Sequence, residues 1–340
     1  MKALFIGGTG TISTEVTRLA MLRGWDLTLI NRGNRPVPQG VRSLVLDIAD
    51  EQAAAKALKG ERFDVVADFI VFTPEQARRD IRLFTGRTDQ YIFISSASAY
   101  QKPPRDYVIT ESTPLCNPYW DYSRSKADCE QALMDAYREE SFPVTIVRPS
   151  HTYCERSIPV PVHGEKGSYE VLRRMQAGKR VIVPGDGTSL WTLTHARDFA
   201  KAFVGLMGHH KAFGEAFTIT SDEQLTWNQA LECAGRAMGV MPSLYHISTD
   251  FLVACRPDLR GPLLGDKSNS VVFDCAKVKR LAPDFVCTTP YDLGVQEAWR
   301  YISAHPECQT PDPAFDSWCD RVIEAHEAGK RAFMDAQTSI

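Results

Sequence analysis

The sequence predicts an α/β protein in which a doubly wound parallel sheet is followed by a smaller, mixed α/β domain. Three features support this fold class. Apolar runs of strand length alternate with amphipathic helical patterns through residues 1–150, as is typical of parallel strands that helices bury on both faces. A glycine-rich turn follows the first apolar run. After "VRPSHTY" the regular alternation ends, and short strands are set between longer helices.

The first domain is predicted to contain six strands, each a short apolar run. They span residues 3–7, 26–30, 43–46, 65–72, 91–95 and 144–149. Helical patterns fall between most of these runs, at residues 11–23, 51–58, 74–84 and 119–139. Because parallel neighbours are joined by crossover helices, this alternation predicts one sheet covered on both faces.

The first domain is expected to span residues 1–155 and the second residues 156–340, with elements of the two interleaving. A Pro- and Gly-rich passage at 157–167 leads into short strands, "VIV" and "AFTIT", set between longer helices. A last helix is predicted at about 315–336, and its apolar stripe indicates a core or subunit contact.

Composition excludes several classes of protein. Of 340 residues, 44% are hydrophobic and 24% charged, and the net charge of −3 gives no basic field that would attract nucleic acid. Nine scattered cysteines contain no C-x-x-C pair, which favours free thiols in a reducing compartment. None of the eight histidines has metal-ligand spacing, so no metal is expected. Without an apolar run of membrane-spanning length, a cytoplasmic location is the simplest expectation.

The turn after the first strand, "GGTGTIS", has the features of a phosphate-binding loop. Glycines there let the backbone approach a pyrophosphate, and the following helix offers its N-terminus. Gly7 and Gly10 occupy the first two positions of the motif, and Ser13 stands in the third. The turn therefore predicts a Rossmann-type dinucleotide site. Its expected contacts are Gly7, Thr9, Gly10, Thr11 and Ile12.

The end of the second strand, "LINRGNR", indicates which dinucleotide is bound. A site for an unphosphorylated ribose normally has an acidic residue there, whereas this chain has Asn31 and Arg32, with Arg35 close by. Guanidinium groups suit a 2′-phosphate, so NADP is favoured over NAD. Asp47, at the end of the third strand, is placed to meet the adenine amine or is a solvated strand-end residue.

Tyr122 and Lys126 lie four residues apart in "DYSRSK", within a predicted helix. This spacing puts the phenol and the ammonium on one face, where the cation lowers the pKa of the phenol and makes it a candidate acid or base. The spacing alone also fits a solvated lysine beside a packed tyrosine.

Taken in order, the motifs resemble the extended branch of the short-chain dehydrogenase/reductase family. They are "GGTGTIS", "FISSASAY", "YSRSK", "VRPSHTY", "LTHARDFAKA" and "FDCAKVKRL", which together cover most of the chain. The resemblance implies that Tyr122 and Lys126 are the catalytic pair of the family.

The resemblance also implies roles for neighbouring residues. Ser96, four residues before Tyr100, would hold the substrate oxygen while the tyrosine exchanges a proton with it. Lys126 would anchor the nicotinamide ribose and favour the tyrosinate. Phe69, and Pro149 in "VRPSHTY", are further expected cofactor contacts. Asp68 lies near the nicotinamide half of the site or is paired elsewhere.

Departures from the family pattern bear on the substrate. In sugar-nucleotide epimerases an Arg that clamps the diphosphate commonly stands four residues before a His of the second domain, and counting back from His195 gives Trp191. An indole offers an apolar face and one N–H donor, so a ring without a nucleotide diphosphate is expected. The predicted substrate contacts are Tyr100, Trp120, Tyr153 and Trp191.

Three function classes follow from the resemblance. The first is an NADP-dependent oxidoreductase acting on a carbonyl or secondary alcohol of a small ring-bearing molecule. The second is a sugar-nucleotide epimerase or dehydratase that retains its cofactor. The third is an RNA-binding relative, which the acidic net charge disfavours. The expected partner is a small molecule, with no nucleic acid and no membrane, and a homodimer is left open.

Overall fold

The computed structural model describes residues 1–337, which divide into two compact units. Unit 1 comprises Met1–Tyr153, Thr192–Asp222 and Val272–Thr289. Unit 2 comprises Cys154–Trp191, Glu223–Val271 and the described residues from Pro290 onward. Two segments that lie beyond residue 155 therefore pack in unit 1.

Fifteen strands are present among the described residues. In chain order they are β1 (Lys2–Ile6), β2 (Asp26–Asn31), β3 (Arg42–Val45), β4 (Val65–Asp68), β5 (Tyr91–Ile94), β6 (Val108–Ile109), β7 (Val144–Pro149), β8 (His151–Tyr153), β9 (Arg180–Pro184), β10 (Leu190–Trp191), β11 (Leu193–His195), β12 (Glu215–Ile219), β13 (Leu225–Thr226), β14 (Ser243–Ile247) and β15 (Val272–Phe273).

Twelve α-helical segments accompany them in the described chain. They are α1 (Ser13–Leu22), α2 (Glu51–Ala57), α3 (Pro74–Phe84), α4 (Asp121–Glu140), α5 (Tyr169–Gln176), α6 (Ala196–Leu206), α7 (Trp227–Met238), α8 (Thr249–Cys255), α9 (Arg260–Pro262), α10 (Ala276–Leu281), α11 (Tyr291–Ala304) and α12 (Pro313–Gln337). Short 3₁₀ turns lie at Ala97–Ala99, His210–Ala212, Pro257–Leu259 and Pro306–Cys308, and a π-helical turn spans Leu263–Lys267.

Seven strands of unit 1 form one parallel sheet in the order β3-β2-β1-β4-β5-β7-β12. The strand order reverses between β1 and β4, and in open α/β sheets ligands bind at such a switch point, outside the carboxyl ends of the strands. The predicted doubly wound parallel sheet is confirmed.

The strand predicted at 65–72 was too long. β4 ends at Asp68, because Asp68 Oδ1 accepts a hydrogen bond from Ile70 N at 2.7 Å and turns the chain away. Helix α3 then begins at Pro74, capped by Thr73. The "AFTIT" strand also differs from expectation: as β12 it extends the sheet of unit 1 beside β7.

Unit 2 contains β9 and β14 as a parallel pair and β10 and β13 as an antiparallel pair. The last helix, α12, buries Phe315 and Val322, so that part of its predicted apolar stripe is core. Phe333, about one turn before the end of α12, is exposed and does not continue the buried face.

Candidate active site

A cavity of about 610 Å³ opens at the carboxyl ends of β1 to β4, within unit 1. Its volume is in the range of small-molecule and cofactor sites. Sixteen residues line it: Gly7, Thr9, Gly10, Ile30, Asn31, Arg32, Asn34, Arg35, Leu46, Asp47, Ile48, Ala49, Ile70, Phe72, Gln76 and Arg79. The structure thus brings together seven of the predicted cofactor contacts: Gly7, Thr9, Gly10, Asn31, Arg32, Arg35 and Asp47.

The glycine turn forms one wall of this cavity, and its first glycine cannot be replaced without strain. Gly7 has φ +81°, a conformation that side chains disfavour. A Cβ on Gly7 would lie 2.7 Å from Ile70 Cγ2, closer than real Cβ contacts approach. Gly8 is equally confined, since its Cβ would lie 2.6 Å from Leu29 Cδ2. Packing of the Ile70 and Leu29 side chains against the turn therefore requires glycine at both positions.

Ser13, in the third motif position, closes the turn through its hydroxyl. Ser13 Oγ donates to Gly7 O at 2.6 Å and accepts from Gly10 N at 2.8 Å. The two ends of the turn are therefore tied by a side chain. Thr11 is exposed and Ile12 half-buried, and in the described chain neither lines the cavity.

Two exposed arginines stand at the rim of the cavity. Arg35 Nη1 donates to Thr9 O at 2.7 Å, which places its guanidinium over the glycine turn and leaves its other N–H groups for a ligand. Asn31 Oδ1 accepts from Gly33 N at 2.8 Å, and this bond shapes the loop that carries Arg32. Asp47 Oδ1 accepts from Ala49 N at 2.9 Å while Asp47 lines the cavity.

These features fit a dinucleotide. A turn in which only glycine fits lies beside the N-terminus of α1, and the cationic side chains of Arg32 and Arg35 line the same cavity.

Helix α4 carries Tyr122 and Lys126 one turn apart. Lys126 is buried, and its Nζ donates to Val71 O at 2.5 Å and Ile94 O at 2.7 Å. An ammonium has three N–H groups, so one remains for a ligand. The Nζ lies 5.8 Å from the ring centroid of Tyr122. The side chains of Tyr122 and Lys126 are therefore adjacent in the structure.

Aromatic rings surround the Lys126 ammonium. Its Nζ lies 4.6 Å from the ring centroid of Phe72 and 5.0 Å from that of Phe93. Phe72 also lines the cofactor cavity, so this ring lies beside both the catalytic pair and the cavity. Burial lowers the pKa of Lys126 to about 8, although nearby acidic groups oppose the shift.

Ser96 belongs to a chain of hydroxyl groups that ends on α4. Ser123 Oγ donates to Ser98 Oγ at 2.8 Å, and Ser98 Oγ lies 2.8 Å from Ser96 Oγ. Ser98 N also donates to Ser96 Oγ at 3.1 Å. Either hydroxyl can be the donor in the Ser96–Ser98 contact, and when Ser98 donates, the Ser96 hydrogen is left for a ligand.

Asp68 is paired with Arg79, one of the residues that line the cavity. It is fully buried; its Oδ2 lies 3.3 Å from Arg79 Nη2, and Arg79 also contacts Asp80. Burial, and then the neighbouring Asp80, raise the pKa of Asp68 well above its usual value. Two carboxyl groups share one guanidinium, and Tyr91 OH donates to Asp80 Oδ2 at 2.5 Å. Asp68 is therefore paired, but with an arginine that lines the cavity, and its charge also acts on the pKa of Lys126, so the pairing does not decide between the two alternatives.

Nine of the lining residues were not among the predicted contacts: Ile30, Asn34, Leu46, Ile48, Ala49, Ile70, Phe72, Gln76 and Arg79. Ile70 and Phe72 follow β4, while Gln76 and Arg79 lie on the first turns of α3. The capping pattern at Thr73 could have indicated the residues around the start of α3, because it places the beginning of this helix shortly after the carboxyl end of β4.

The other predicted contacts lie at different places. Phe69 packs 5.6 Å from Phe5 and 5.4 Å from Phe203 between ring centroids, and Pro149 is buried in β7. Trp120 is half-buried, with its ring 5.0 Å from that of Tyr122. Their binding roles stay predictions.

Three predicted substrate contacts are buried. Tyr100 OH lies 2.7 Å from Thr218 Oγ1 and accepts from Arg148 Nη1 at 3.0 Å, so its hydroxyl is engaged inside the protein. Tyr153 packs edge-on against His195. Trp191, in unit 2, stacks on another indole. A substrate contact by any of them stays a prediction.

His195 caps a helix. Its Nδ1 accepts from Arg197 N at 3.1 Å at the start of α6. Across residues 1–337, no group of three or more His, Cys, Asp or Glu side chains is arranged to hold a metal ion. No helix in that part of the chain is long and apolar enough to cross a membrane.

Comparison with known proteins agrees with this geometry. Residues 3–220 match the model of the NAD dependent epimerase/dehydratase family. 2′-Dehydrokanamycin reductase of Streptomyces kanamyceticus is 24% identical over 288 residues, 84% of this chain and 80% of the relative. UDP-glucose 4-epimerase of Lactobacillus helveticus is 27% identical over 345 residues, 90% of this chain and 98% of the relative.

Two further similarities complete the comparison. A chloroplast stem-loop binding protein of Arabidopsis thaliana is 25% identical over 261 residues, 72% of this chain and 65% of the relative. The solved structure of an epimerase from Methanothermobacter thermautotrophicus superposes with a TM-score of 0.74 at 14% identity, covering 90% of this chain and 93% of the other. With the family model spanning the glycine turn and the Tyr–Lys pair, the chain belongs to the NAD-dependent epimerase/dehydratase family, within the extended short-chain dehydrogenases/reductases.

Proposed function

We propose that the protein is an NADP-dependent oxidoreductase that transfers a hydride between the nicotinamide and a carbonyl or secondary alcohol of a small ring-bearing substrate. The observation that carries this proposal is the environment of Lys126. Its buried ammonium is held by two backbone carbonyls within 5.8 Å of the Tyr122 ring. A cation fixed in that position favours the ionised phenol, as proton exchange with a substrate oxygen requires.

Each catalytic residue has a distinct part. Tyr122 exchanges the proton with the substrate oxygen, and Ser96 donates the hydrogen bond that holds that oxygen. Lys126 supports the tyrosinate and offers its third N–H to the ribose. The nicotinamide, when bound, supplies the hydride chemistry.

NADP is proposed over NAD because of the cavity rim. Arg32 and Arg35 are cationic, and among the described residues that line the cavity the one carboxylate is Asp47. NADPH should therefore bind at least tenfold more tightly than NADH, a difference of about 1.4 kcal/mol.

Arg32→Asp tests the cofactor assignment, because the new carboxylate would repel a 2′-phosphate and accept a bond from a bare ribose hydroxyl. Fluorescence titration with NADPH and NADH gives both dissociation constants. We expect Arg32→Asp to reverse the preference, while Arg23→Asp, remote on the end of α1, keeps it. Equal affinity of the wild-type protein for the two cofactors would contradict the assignment.

The proposed substrate is a ring compound without a nucleotide diphosphate. Sugar-nucleotide epimerases commonly have an Arg that clamps the diphosphate four residues before the His of the second domain. In this chain Trp191 stands at that position. Loss of a charge-assisted contact to a diphosphate weakens binding by roughly 1.5–3 kcal/mol. A relative named as a reductase of 2′-dehydrokanamycin supports reduction as the reaction class.

The runner-up is an epimerase or dehydratase that returns the hydride to the same substrate. The similarity to UDP-glucose 4-epimerase, which spans 98% of that relative, favours it. Such an enzyme keeps its cofactor through catalysis. Gel filtration of the purified protein followed by analysis of released nucleotide separates the two: we expect NADP(H) to exchange freely, and a tightly retained NAD would favour the runner-up.

A further inference from the structure

The buried ammonium of Lys126 is held without a carboxylate partner. Its Nζ donates to Val71 O at 2.5 Å and to Ile94 O at 2.7 Å, and no ion pair reaches it within residues 1–337. A buried charge is unfavourable unless the surrounding groups replace its hydration. The aromatic rings beside Lys126 therefore matter for whether the amine stays charged.

The titratable groups that act on Lys126 are engaged elsewhere or neutral. Asp68, at the end of β4, and Glu130, on α4, are each bound to an arginine. Burial raises the pKa of Cys129 to about 12, so its thiol carries no charge in the range where Lys126 titrates. Tyr122, on the same face of α4, presents its ring at 5.8 Å. No neighbouring anion thus substitutes for the rings.

Of the rings near the ammonium, that of Phe72 is distinctive. Its centroid lies 4.6 Å from Lys126 Nζ, against 5.0 Å for Phe93, and both distances are within cation–π range. Phe93 is fully buried in β5 and belongs to the core. Phe72 is 45% exposed and lines the cofactor cavity. It therefore contacts the ammonium and is also accessible to a ligand.

The backbone of Phe72 is fixed by two helices. Phe72 N donates to Gln76 Oε1 of α3 at 2.6 Å, and Ser125 Oγ of α4 donates to Phe72 O at 2.8 Å. The preceding carbonyl, Val71 O, accepts from Lys126 itself. A single exposed apolar side chain normally needs no explanation. This one is anchored on both sides of its Cα, which keeps its ring beside the ammonium and at the cavity wall.

We propose that Phe72 is a positioning residue, which keeps Lys126 charged through the face of its ring and transmits occupancy of the cofactor cavity to this lysine. Cation–π attraction is stronger at a desolvated site than at a hydrated one. A ligand that fills the cavity covers the exposed part of Phe72 and excludes water from it. The ammonium should then keep its proton to a higher pH. This inference rests on the proposed function, which places Lys126 in support of the tyrosinate.

NMR of the ligand-free full chain tests the role of the ring. With lysines labelled with ¹³C at Cε, a titration between pH 6 and pH 10 gives the midpoint of Lys126, whose signal is assigned by its absence from Lys126→Met. Phe72→Leu keeps an apolar side chain without a π face, and should lower the midpoint by about 0.5–1 pH unit. Phe72→Tyr keeps the ring and should retain the wild-type midpoint.

Two measurements with NADPH test the coupling. Saturating NADPH should raise the Lys126 midpoint more in the wild type than in Phe72→Leu. In fluorescence titrations, affinity that depends on the charged amine is complete below the ligand-free midpoint and is lost above it. The decrease in NADPH affinity should therefore begin at a lower pH in Phe72→Leu. Phe333→Leu, exposed on α12 and outside the cavity lining, is the matched control and should change neither profile.

A ligand-free midpoint of Phe72→Leu equal to or above that of the wild type would overturn the proposal, and so would a Phe72→Tyr midpoint as low as that of Phe72→Leu. The proposed function can fail separately. A protein whose Lys126 midpoint follows the side chain at position 72, but which does not oxidise NADPH with any ring ketone, would contradict only the oxidoreductase assignment.

Discussion

At the residue scale, the site depends on how one ammonium is held. Two carbonyls, Val71 O and Ile94 O, and the rings of Phe72 and Phe93 fix Lys126 beneath Tyr122. Cation–π contacts and hydrogen bonds to carbonyls both favour the charged amine, whereas burial opposes it. The phenol of Tyr122 therefore lies beside a cation that cannot move away, and this is the basis for assigning it the proton exchange.

Tyr122→Phe should abolish turnover and leave NADPH affinity nearly unchanged, because only the proton-exchanging hydroxyl is removed. Steady-state kinetics and fluorescence titration give the two quantities. Tyr137→Phe, on the same helix and partly exposed, is the matched control and should retain wild-type rates. If Tyr122→Phe kept a tenth of the wild-type kcat, the assigned role would be wrong.

Cofactor affinity should decrease as the pH rises through about 8, where Lys126 loses its proton. Below that pH the side chain is a charged donor to the ribose, and above it a neutral amine. Proton linkage sets the limit at about tenfold per pH unit. Titrations with NADPH between pH 7 and pH 9.5 measure the effect. Lys126→Met, which cannot titrate, should bind weakly with a flat profile, and an equally steep profile in that variant would exclude Lys126 as the cause.

Part of this site could be predicted from the sequence. The Tyr122–Lys126 spacing was ambiguous until the other motifs placed it in a family pattern. The serine chain from Ser123 to Ser96 was not predictable, because it depends on contacts between residues far apart in the chain.

At the element scale, the first β-turn-α unit positions the cavity. β1 ends at Ile6, the turn follows with Gly7 at φ +81°, and Ser13 ties the turn as α1 begins. Ile70, from the loop after β4, packs against Gly7. The neighbouring carboxyl ends of β1 and β4 therefore constrain each other.

Gly7→Ala should destabilise the protein and weaken NADPH binding at least tenfold. The positive φ costs about 1–2 kcal/mol for a residue with a Cβ, and contact with Ile70 adds to it. Gly24→Ala, at φ +76° with open space around it, isolates the backbone contribution. Thermal unfolding should show a larger loss for Gly7→Ala than for Gly24→Ala. Ile70→Ala should recover the difference in the double variant, and a failure to do so would refute the contact.

Helix and strand limits were predictable where local chemistry marks them. The α3 prediction at 74–84 is confirmed, since Thr73 and Gln76 form a capping box and Pro74 stands at the first position. The end of β4 was missed because "FIVF" continues the apolar run past Asp68, although a local hydrogen bond from Ile70 N to the Asp68 side chain ends the strand there.

At the scale of the whole molecule, chain order and spatial order differ. Residues 192–222 and 272–289 belong to unit 1, so strand β12 joins a sheet whose other members precede residue 150. The sequence indicated interleaving without locating it, because a buried strand such as "AFTIT" can pair in either unit. The family match over residues 3–220 spans the sheet and the candidate catalytic residues.

The central claim is net hydride transfer from NADPH to a ring carbonyl, and isotope transfer tests it most directly. The protein is incubated with NADPH deuterated at C4 and with a panel of ring ketones, and the products are analysed by mass spectrometry. We predict one deuterium in each product molecule and an equal amount of NADP⁺. Conversion of a sugar nucleotide to its epimer, with no net oxidation of NADPH and no deuterium in the product, would contradict the proposed function.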